Sequence, residues 1–595
     1  MQQKTLLPEI LQRQAVLEPP KMAYVFLDEH GEEKAMLTYG DLYSRALAVA
    51  GQLIRHCKSG DRVLLLFPQS LDFIVAYFGC LYAQVIAVPI NPPRKNRIQD
   101  ATRSIVKDCE PSAVLTVSAM LETMRPSLES ICEALHWFPV DHVPDPADSN
   151  FHPQPCSADA IAFLQYTSGS TSDPKGVMVS HGNLSANQAM IKRAFGTDQQ
   201  STVVGWTPFY HDQGLIGNVL HPLYLGTTSI LMSPMTFIRW PLLWLSAISR
   251  YRAHASGGPN FAFDACVTRA DRGNVPDLDL SCWKVAFNGA EPIRYETLRR
   301  FSERFAPFGF RAESLYPCYG LAEATLLVTG SQKGRSPRTL EADVEELSHK
   351  RYAKAQGGCG RTLVGSGIVP LEAQLRIVDP ETRRSCPANQ VGEIWVAGEH
   401  VAQGYWKRPE TTADIFQATC DGETGPTYLR TGDLGLVVDG ELYIVGRLKD
   451  LVIIRGKNYY PQDIEHTVQS SHLALNPGGC AAFSVPDAGS EKLVVVQEIK
   501  REQRLKADVI DVVASIRAAV TQEHELSVGD LVLTLSGQLQ KTSSGKIMRA
   551  AARKRYLESG FVIWTPKTPS VAVRDSSIGR EDAEHASVES GKSRL

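Results

Sequence analysis

The sequence has no long apolar run, and this excludes a helical membrane span. Its most apolar stretch, Phe73 to Ala83, is bracketed by Asp72 and Gln84 and falls short of the ~20 residues a span needs; it reads as a buried helix. Met1 to Ala15 carries charged and polar residues throughout, so it lacks the apolar core of a secretory signal. The 12 cysteines are scattered, with no Cys-x-x-Cys pair and no histidine cluster beside them. Neither a zinc site nor a disulfide framework is suggested, and a cytoplasmic location is expected. A net charge of -3 gives no global attraction to nucleic acid or to an anionic membrane. No internal repeat is apparent. What remains, with 43% hydrophobic and 21% charged residues over 595 positions, is an ordinary globular composition too long for one core.

The stretch that organises the chain is Tyr166-Thr-Ser-Gly-Ser-Thr-Ser-Asp-Pro-Lys-Gly176. An apolar run, Ala160 to Leu164, precedes it as a buried strand. Val177 to Val179 follows, and His181-Gly182-Asn183 could open a helix. The stretch is therefore a loop between regular elements. Its glycines let backbone NH groups approach an anion, and its hydroxyls and lysine donate to phosphate oxygens. It is not a Walker loop, which needs Gly-Lys followed by Ser or Thr; here Pro174 precedes Lys175 and Gly176 follows it. On its own the loop is also readable as a Ser/Gly linker.

Upstream, short apolar runs alternate with amphipathic stretches: strands over Asp61 to Phe67, Val85 to Ile90 and Ala113 to Val117, and a helix over Leu71 to Ala83. This is the signature of a parallel sheet covered on both faces. Downstream, Trp283 to Phe287 and Ser314 to Pro317 read as strands, and so does Gly392 to Ala397. Leu436 to Val445 reads as a hairpin whose Asp439-Gly440 centre suits a type I′ turn. Between them lies a charged, helix-capable segment, Ser331 to Gly358, with Glu341-Ala-Asp-Val-Glu-Glu-Leu347. From Leu451 the pattern becomes α+β. Strands are expected over Cys480 to Val485 and Leu493 to Ile499, a helix over Ala507 to His524, a polar loop over Gln540 to Lys546, and a basic helix over Ile547 to Tyr556. Beyond Trp564 few large apolar residues remain, and a disordered tail is expected.

Five further blocks accompany the loop in fixed order: Asn288-Gly-Ala-Glu-Pro292, Tyr316-Pro-Cys-Tyr-Gly-Leu-Ala-Glu323, Tyr428-Leu-Arg-Thr-Gly-Asp433, Gly446-Arg-Leu-Lys-Asp450 and Gln540-Lys-Thr-Ser-Ser-Gly-Lys546. Together they resemble the adenylate-forming superfamily, whose members activate carboxylates as acyl-adenylates. The resemblance runs from about Leu37 to about Leu557. Two departures from the general pattern, Ser172 where many relatives have Gly and Ala322 where many have Thr, look like one branch, the fatty acyl-AMP ligases. An insertion near Ser331 to Gly358 is that branch's hallmark, thought to hinder formation of acyl-CoA; the alternative is a solvated loop of no consequence.

The expected architecture is α/β. A large N-terminal domain (residues 1–450) holds doubly wound βαβ subdomains and a smaller β-rich subdomain; a small mobile α+β domain (451–565) and a tail (566–595) follow. The resemblance implies that Thr167, Ser168, Gly169, Ser170, Thr171 and Lys175 hold ATP phosphates. Asn288, Gly289, Ala290 and Glu291, with Cys318, Tyr319, Gly320 and Leu321, would line the adenine slot, with Tyr319 as an aromatic face. Asp433 would accept the ribose hydroxyls, Arg447 would meet ribose or phosphate, and Glu323 would hold Mg²⁺. Asp450 would be the hinge and Lys546 the catalytic lysine. His211 is expected to position substrate rather than act as a base; spacing alone leaves open a hydrogen-bonded structural histidine.

Trp206, Ile216, Gly258 and Phe261 are candidates for an acyl pocket, although aromatic spacing alone favours Phe261 and Phe263 as core residues. No Phe-Asp-x-Ser block is present to meet a substrate ammonium, so an apolar acid is expected. The implied activity is ATP-dependent formation of a fatty acyl-adenylate for a separate acyl carrier protein. The alternatives are an acyl-CoA synthetase and a catalytically silent nucleotide- or lipid-binding homologue.

Overall fold

The computed structural model describes residues 5–92, 100–132, 135–142, 151–167, 174–356, 360–422, 424–455, 457–487, 490–542 and 545–564. The chain divides between Leu448 and Lys449 into two compact units.

Among the described residues, the first unit carries two large sheets, a four-stranded antiparallel sheet and a two-stranded ribbon. The six-stranded sheet runs His136–Pro139, Ala113–Thr116, Arg62–Leu65, Ile86–Pro89, Ile161–Thr167 and Lys175–Ser180 in space. Only its last strand is antiparallel to its neighbour. The helix Leu71–Tyr82 beside it is buried at every position except Asp72. A helix apolar all round belongs inside a protein, and Gly79 gives this one its close approach, since a Cβ there would fall 2.5 Å from Val49.

The eight-stranded sheet has a parallel centre in which Leu315–Gly320, Val285–Asn288, Ala255–Gly258, Val203–Gly205, Ser229–Met232 and Met22–Leu27 lie side by side. The expected strands at Trp283 to Phe287 and Ser314 to Pro317 begin one or two residues later and run on to Asn288 and Gly320. Trp283 instead fills the core, its indole donating to the Val285 carbonyl at 3.0 Å. The antiparallel sheet is Ala373–Val378, Gly392–Gly398, Leu429–Val438 and Glu441–Arg447. Its last hairpin turns at Asp439 and Gly440 with φ of 50° and 77°, the two positive values a type I′ turn requires.

The charged segment Ser331 to Gly358, expected to be helix-capable, is largely something else. Thr339–Asp343 is a strand paired antiparallel with Gly360–Val364, and among the segment's described residues only Val344–Ser348 is helical. Asp343 ends the strand and starts the helix, accepting a hydrogen bond from the Glu346 NH at 3.0 Å. A capping aspartate followed by acidic residues favours a helix start, but the cross-strand partner claims the residues before it. Residues 357–359 lie outside the described set.

In the second unit, Leu475–Asp487, Ser490–Ile499 and Val528–Leu535 form a three-stranded sheet. The helices Pro461–Ser470 and Val509–His524 bury Ile464, Val468, Val512, Ile516 and Val520 in its core. The basic helix is Arg549–Leu557. The expected tail, 566–595, lies outside the described residues.

Candidate active site

Ligands of open parallel sheets gather at the carboxyl ends of the strands. Trp206, Gly258, Asn288 and the stretch Cys318 to Gly320 stand at those ends on neighbouring strands. Close backbone approach shapes this edge. A Cβ on Gly320 would fall 1.8 Å from the Leu326 carbonyl, and one on Gly289 would fall 2.9 Å from that of Cys318. Ala290 has φ of 70°, a left-handed conformation that a non-glycine residue seldom adopts. Asn288 is fully buried, its amide donating to Asn260 at 3.4 Å. Cys318 reaches the Asn288 carbonyl at 3.5 Å, and burial pushes its thiol up to about 12.

Three sheets converge on the next group of side chains. Tyr319, from the eight-stranded sheet, donates its hydroxyl to Asp433 Oδ2 at 2.8 Å. Asp433 sits directly across the antiparallel ladder from Arg447, whose Nε donates to Oδ1 at 2.9 Å. An ionised carboxylate offers about four lone-pair sites, so Asp433 keeps acceptor capacity beyond these two bonds. Tyr319 is buried, and burial followed by the Asp433 charge holds its hydroxyl well above its ordinary pKa. It remains a donor at all ordinary pH. Below Asp433, Glu393 is almost wholly buried and accepts from the Gly432 NH, the Arg430 guanidinium and the Trp395 indole. This braces the turn that carries the aspartate.

Glu323 lies on the 3₁₀ turn Ala322–Ala324, half-buried, with its Oε1 accepting from the Tyr405 hydroxyl at 2.8 Å. Burial raises its carboxyl above the ordinary glutamate range, and the Tyr405 bond opposes that rise. The turn ends in strain. Thr325 has φ of 66° and ψ of -64°, with the Leu326 NH bonded to the Ala324 carbonyl at 2.8 Å. That is the rare form of γ-turn, costly for a β-branched residue and characteristic of functional sites. Thr325 Oγ1 anchors it on the His400 carbonyl at 2.6 Å.

Tyr405 joins this group to the six-stranded sheet. The segment around it pairs with the edge strand Lys175–Ser180 through Met178 NH to Gly404, Gln403 NH to Met178 and Trp406 NH to Gly176. The Lys175 ammonium consequently lies 4.8 Å from the centre of the Tyr405 ring. Thr167 and Lys175 face each other in the hairpin register. Ser168, Gly169, Ser170, Thr171 and Ser172 lie outside the described residues.

Trp206 is buried, stacked on Phe237 at 4.0 Å and edge-on to Phe261 at 5.8 Å. Gly258 leaves room for it, since a Cβ there would meet the indole at 2.7 Å. Ile216 is fully buried in an eight-residue π-helix, Gln213–Leu220; such turns are frequent at functional sites. His211 is half-buried just before that helix, 3.8 Å from Asp212, whose carboxylate caps the helix at the Gln213 NH. Phe263, unlike Phe261, is wholly core.

In the second unit, Asp450 accepts from Arg549 Nη1 at 2.7 Å, and Arg549 also grips both oxygens of Glu465 at 2.7 and 2.8 Å. Lys546 lies in the turn just before, where its carbonyl accepts from the Thr542 NH and its NH donates to the Thr542 hydroxyl. Sequence reasoning missed Tyr405, Thr325, Glu393 and Arg549. None belongs to a block singled out by its pattern, although Gly404-Tyr405-Trp406 is a short aromatic signal beside a glycine.

The AMP-binding enzyme family matches residues 11–406. The chain belongs to it. Residues 449–565 match a second family, described as Disco-interacting protein 2-like, AMP domain. The chain is 42% identical over 567 residues to a medium-chain-fatty-acid–[acyl-carrier-protein] ligase of Moorena producens, with 93% of this chain and 96% of the relative covered. It is 40% identical over 577 residues to a long-chain-fatty-acid–AMP ligase of Mycobacterium marinum, with 93% and 98% covered. Among solved structures, it resembles the fatty acyl-adenylate ligase from Legionella pneumophila in complex with acyl adenylate and pyrophosphate. That match has a TM-score of 0.74 at 41% identity and covers 94% of this chain and 97% of that one. With these relatives the chain falls in the fatty acyl-AMP ligase branch of the adenylate-forming superfamily, whose members use ATP.

Proposed function

We infer that this chain activates a fatty acid with ATP and delivers the acyl group to the phosphopantetheine thiol of a separate acyl carrier protein. The fatty-acid carboxylate attacks the α-phosphorus of ATP, the bond to the β-phosphate oxygen breaks, and acyl-adenylate and pyrophosphate result. A carboxylate is already ionised near pH 7 and needs no base. Catalysis therefore comes from positioning and charge stabilisation. The observation that carries this reading is the convergence of Tyr319, Asp433 and Arg447 with Glu323, Tyr405 and Lys175 at the strand ends, in a chain whose relatives are named as fatty-acid ligases.

In this reading Asp433 takes the ribose hydroxyls through its remaining lone pairs, and Lys175 and the loop before it take the leaving phosphates. Tyr319 contributes its ring to the adenine slot. The mobile domain comprises residues 451–565, turns about Asp450 and brings Lys546 to the reacting carboxylate and phosphate. His211 positions the substrate carboxylate, and Trp206, Ile216, Gly258 and Phe261 line the acyl pocket. Glu323 fits Mg²⁺: it is a hard oxygen donor with Oε1 steadied by Tyr405, and this ion commonly takes one or two protein carboxylates and otherwise phosphates and water. When bound, the ion would neutralise phosphate charge. No group of three metal-ligating side chains occurs among the described residues, so a cage made of protein alone is not part of the reading.

The test is incubation with ATP, Mg²⁺ and a ladder of fatty acids, with and without CoA, resolving acyl-AMP from acyl-CoA. Acyl-AMP that persists when CoA is added, and is consumed by a carrier protein, supports the reading. Acyl-CoA at a comparable rate refutes the transfer step, and absence of pyrophosphate release refutes the activity.

A further inference from the structure

The short helix Pro234–Arg239 turns one side inward, with Thr236 and Phe237 buried, while Met235 and Ile238 are 54% and 58% exposed. Trp240, immediately after it, is 48% exposed. The helix Asn260–Asp271 lies alongside, since Phe261 is 6.3 Å from Phe237 between ring centres and the Arg269 guanidinium is 5.9 Å from the Trp240 ring. Phe261 and Arg269 are eight residues apart and so share one stripe of that helix. Met235, Ile238, Trp240 and Phe261 thus form a single outward apolar face.

The charge around this face is positive. Arg239, Arg269 and Arg272 are exposed, while the acidic groups of the second helix, Asp264 and Asp271, are paired with Arg294 at 2.9 Å and Arg304 at 3.1 Å. Five arginines against two aspartates leave +3 here, on a chain whose net charge is -3.

We propose that this face docks on an anionic lipid bilayer, with Ile238, Met235 and Trp240 at the boundary between headgroups and acyl chains and the arginines on lipid phosphates. Tryptophan favours that boundary, and an apolar face rimmed by basic residues lies in the plane of a membrane surface. The face is also continuous with the buried Trp206 and Phe237 stack. Docking would place the acyl-pocket candidates beside the membrane, where fatty acids partition. That last consequence rests on the proposed function, whereas the docking does not.

The experiment is sedimentation of the full chain with phosphatidylcholine vesicles, with and without phosphatidylglycerol, at low and raised salt. The protein should pellet with the anionic vesicles and be released by salt. Arg239→Gln and Arg269→Gln should each weaken binding about fivefold, from ~1 kcal/mol per basic residue near such a surface. Ile238→Glu with Trp240→Glu should abolish it and leave adenylation of a water-soluble short-chain acid unchanged. The proposal is overturned if the wild type stays in the supernatant at low salt, or if the double variant pellets as the wild type does. It is equally overturned if the double variant loses only transfer to a carrier protein while the wild type ignores vesicles, for then the face receives an acidic protein. Failure to adenylate the short-chain acid would refute the proposed function and leave the sedimentation result standing.

Discussion

Replacing Tyr405 by Phe removes one oxygen and keeps the ring, so the cation–π contact with Lys175 and the edge-on contact with Phe416 at 5.1 Å survive. What is lost is the 2.8 Å bond to Glu323 Oε1. Burial raises the Glu323 carboxyl and Tyr405 holds that rise down, so the variant's carboxyl titrates higher still. A hydrogen bond to an ionised group contributes about 1.5–3 kcal/mol, which is about 1–2 pH units. If ionised Glu323 is what the reaction needs, the acidic limb of pyrophosphate release moves up by that interval, while the plateau at high pH falls much less.

Stability follows the same sign. A carboxyl raised on folding is favoured while protonated, so its contribution is present below the unfolded pKa and is lost as pH rises through the folded one. The variant's loss of stability should therefore be small in acid and full at pH 8. Pyrophosphate release measured from pH 5 to 9, with denaturant melts at both ends, reads both effects. An acidic limb that stays where the wild type has it would refute the coupling of Tyr405 to Glu323.

Arg549→Met leaves Glu465 and Asp450, both largely buried, without their cation. Breaking a buried pair costs about 3–5 kcal/mol, so amide exchange in the strand Ser490–Ile499 should accelerate by roughly two to four powers of ten; a change under tenfold would refute it. Lys546→Ala should reduce acyl-AMP formation by at least about a hundredfold, the scale of removing a transition-state donor, while ATP binding by calorimetry persists. Unchanged acyl-AMP formation would remove Lys546 from the chemistry. His181 and His400 are buried, and burial lowers each to about 4. Folding therefore keeps them neutral, and stability should drain away as pH falls from about 6.5 towards 4, by at most about 3 kcal/mol each. Replacing both by Asn should flatten the melting temperature over that interval.

Local chemistry alone determined a good deal here. The buried helix at Leu71, the type I′ turn at Asp439-Gly440 and the family to which the ordered blocks point were legible, because each is carried by residues a few positions apart. Residue types there carry their own conformational preference or donor chemistry. The charged segment after Ser331 is helical only over part of its length, because before Val344 a strand's partner, Gly360–Val364, outweighs helical propensity and lies beyond the local window. The tertiary structure alone decided that Glu323 is buried and that Tyr405, more than 80 positions away, opposes the resulting rise of its carboxyl. It likewise decided that Tyr319 and Arg447 share Asp433, and that Thr325 is held in a strained turn by the His400 carbonyl. A hydrogen bond between distant segments leaves no periodicity in either one. It exists only once three sheets have brought their edges together.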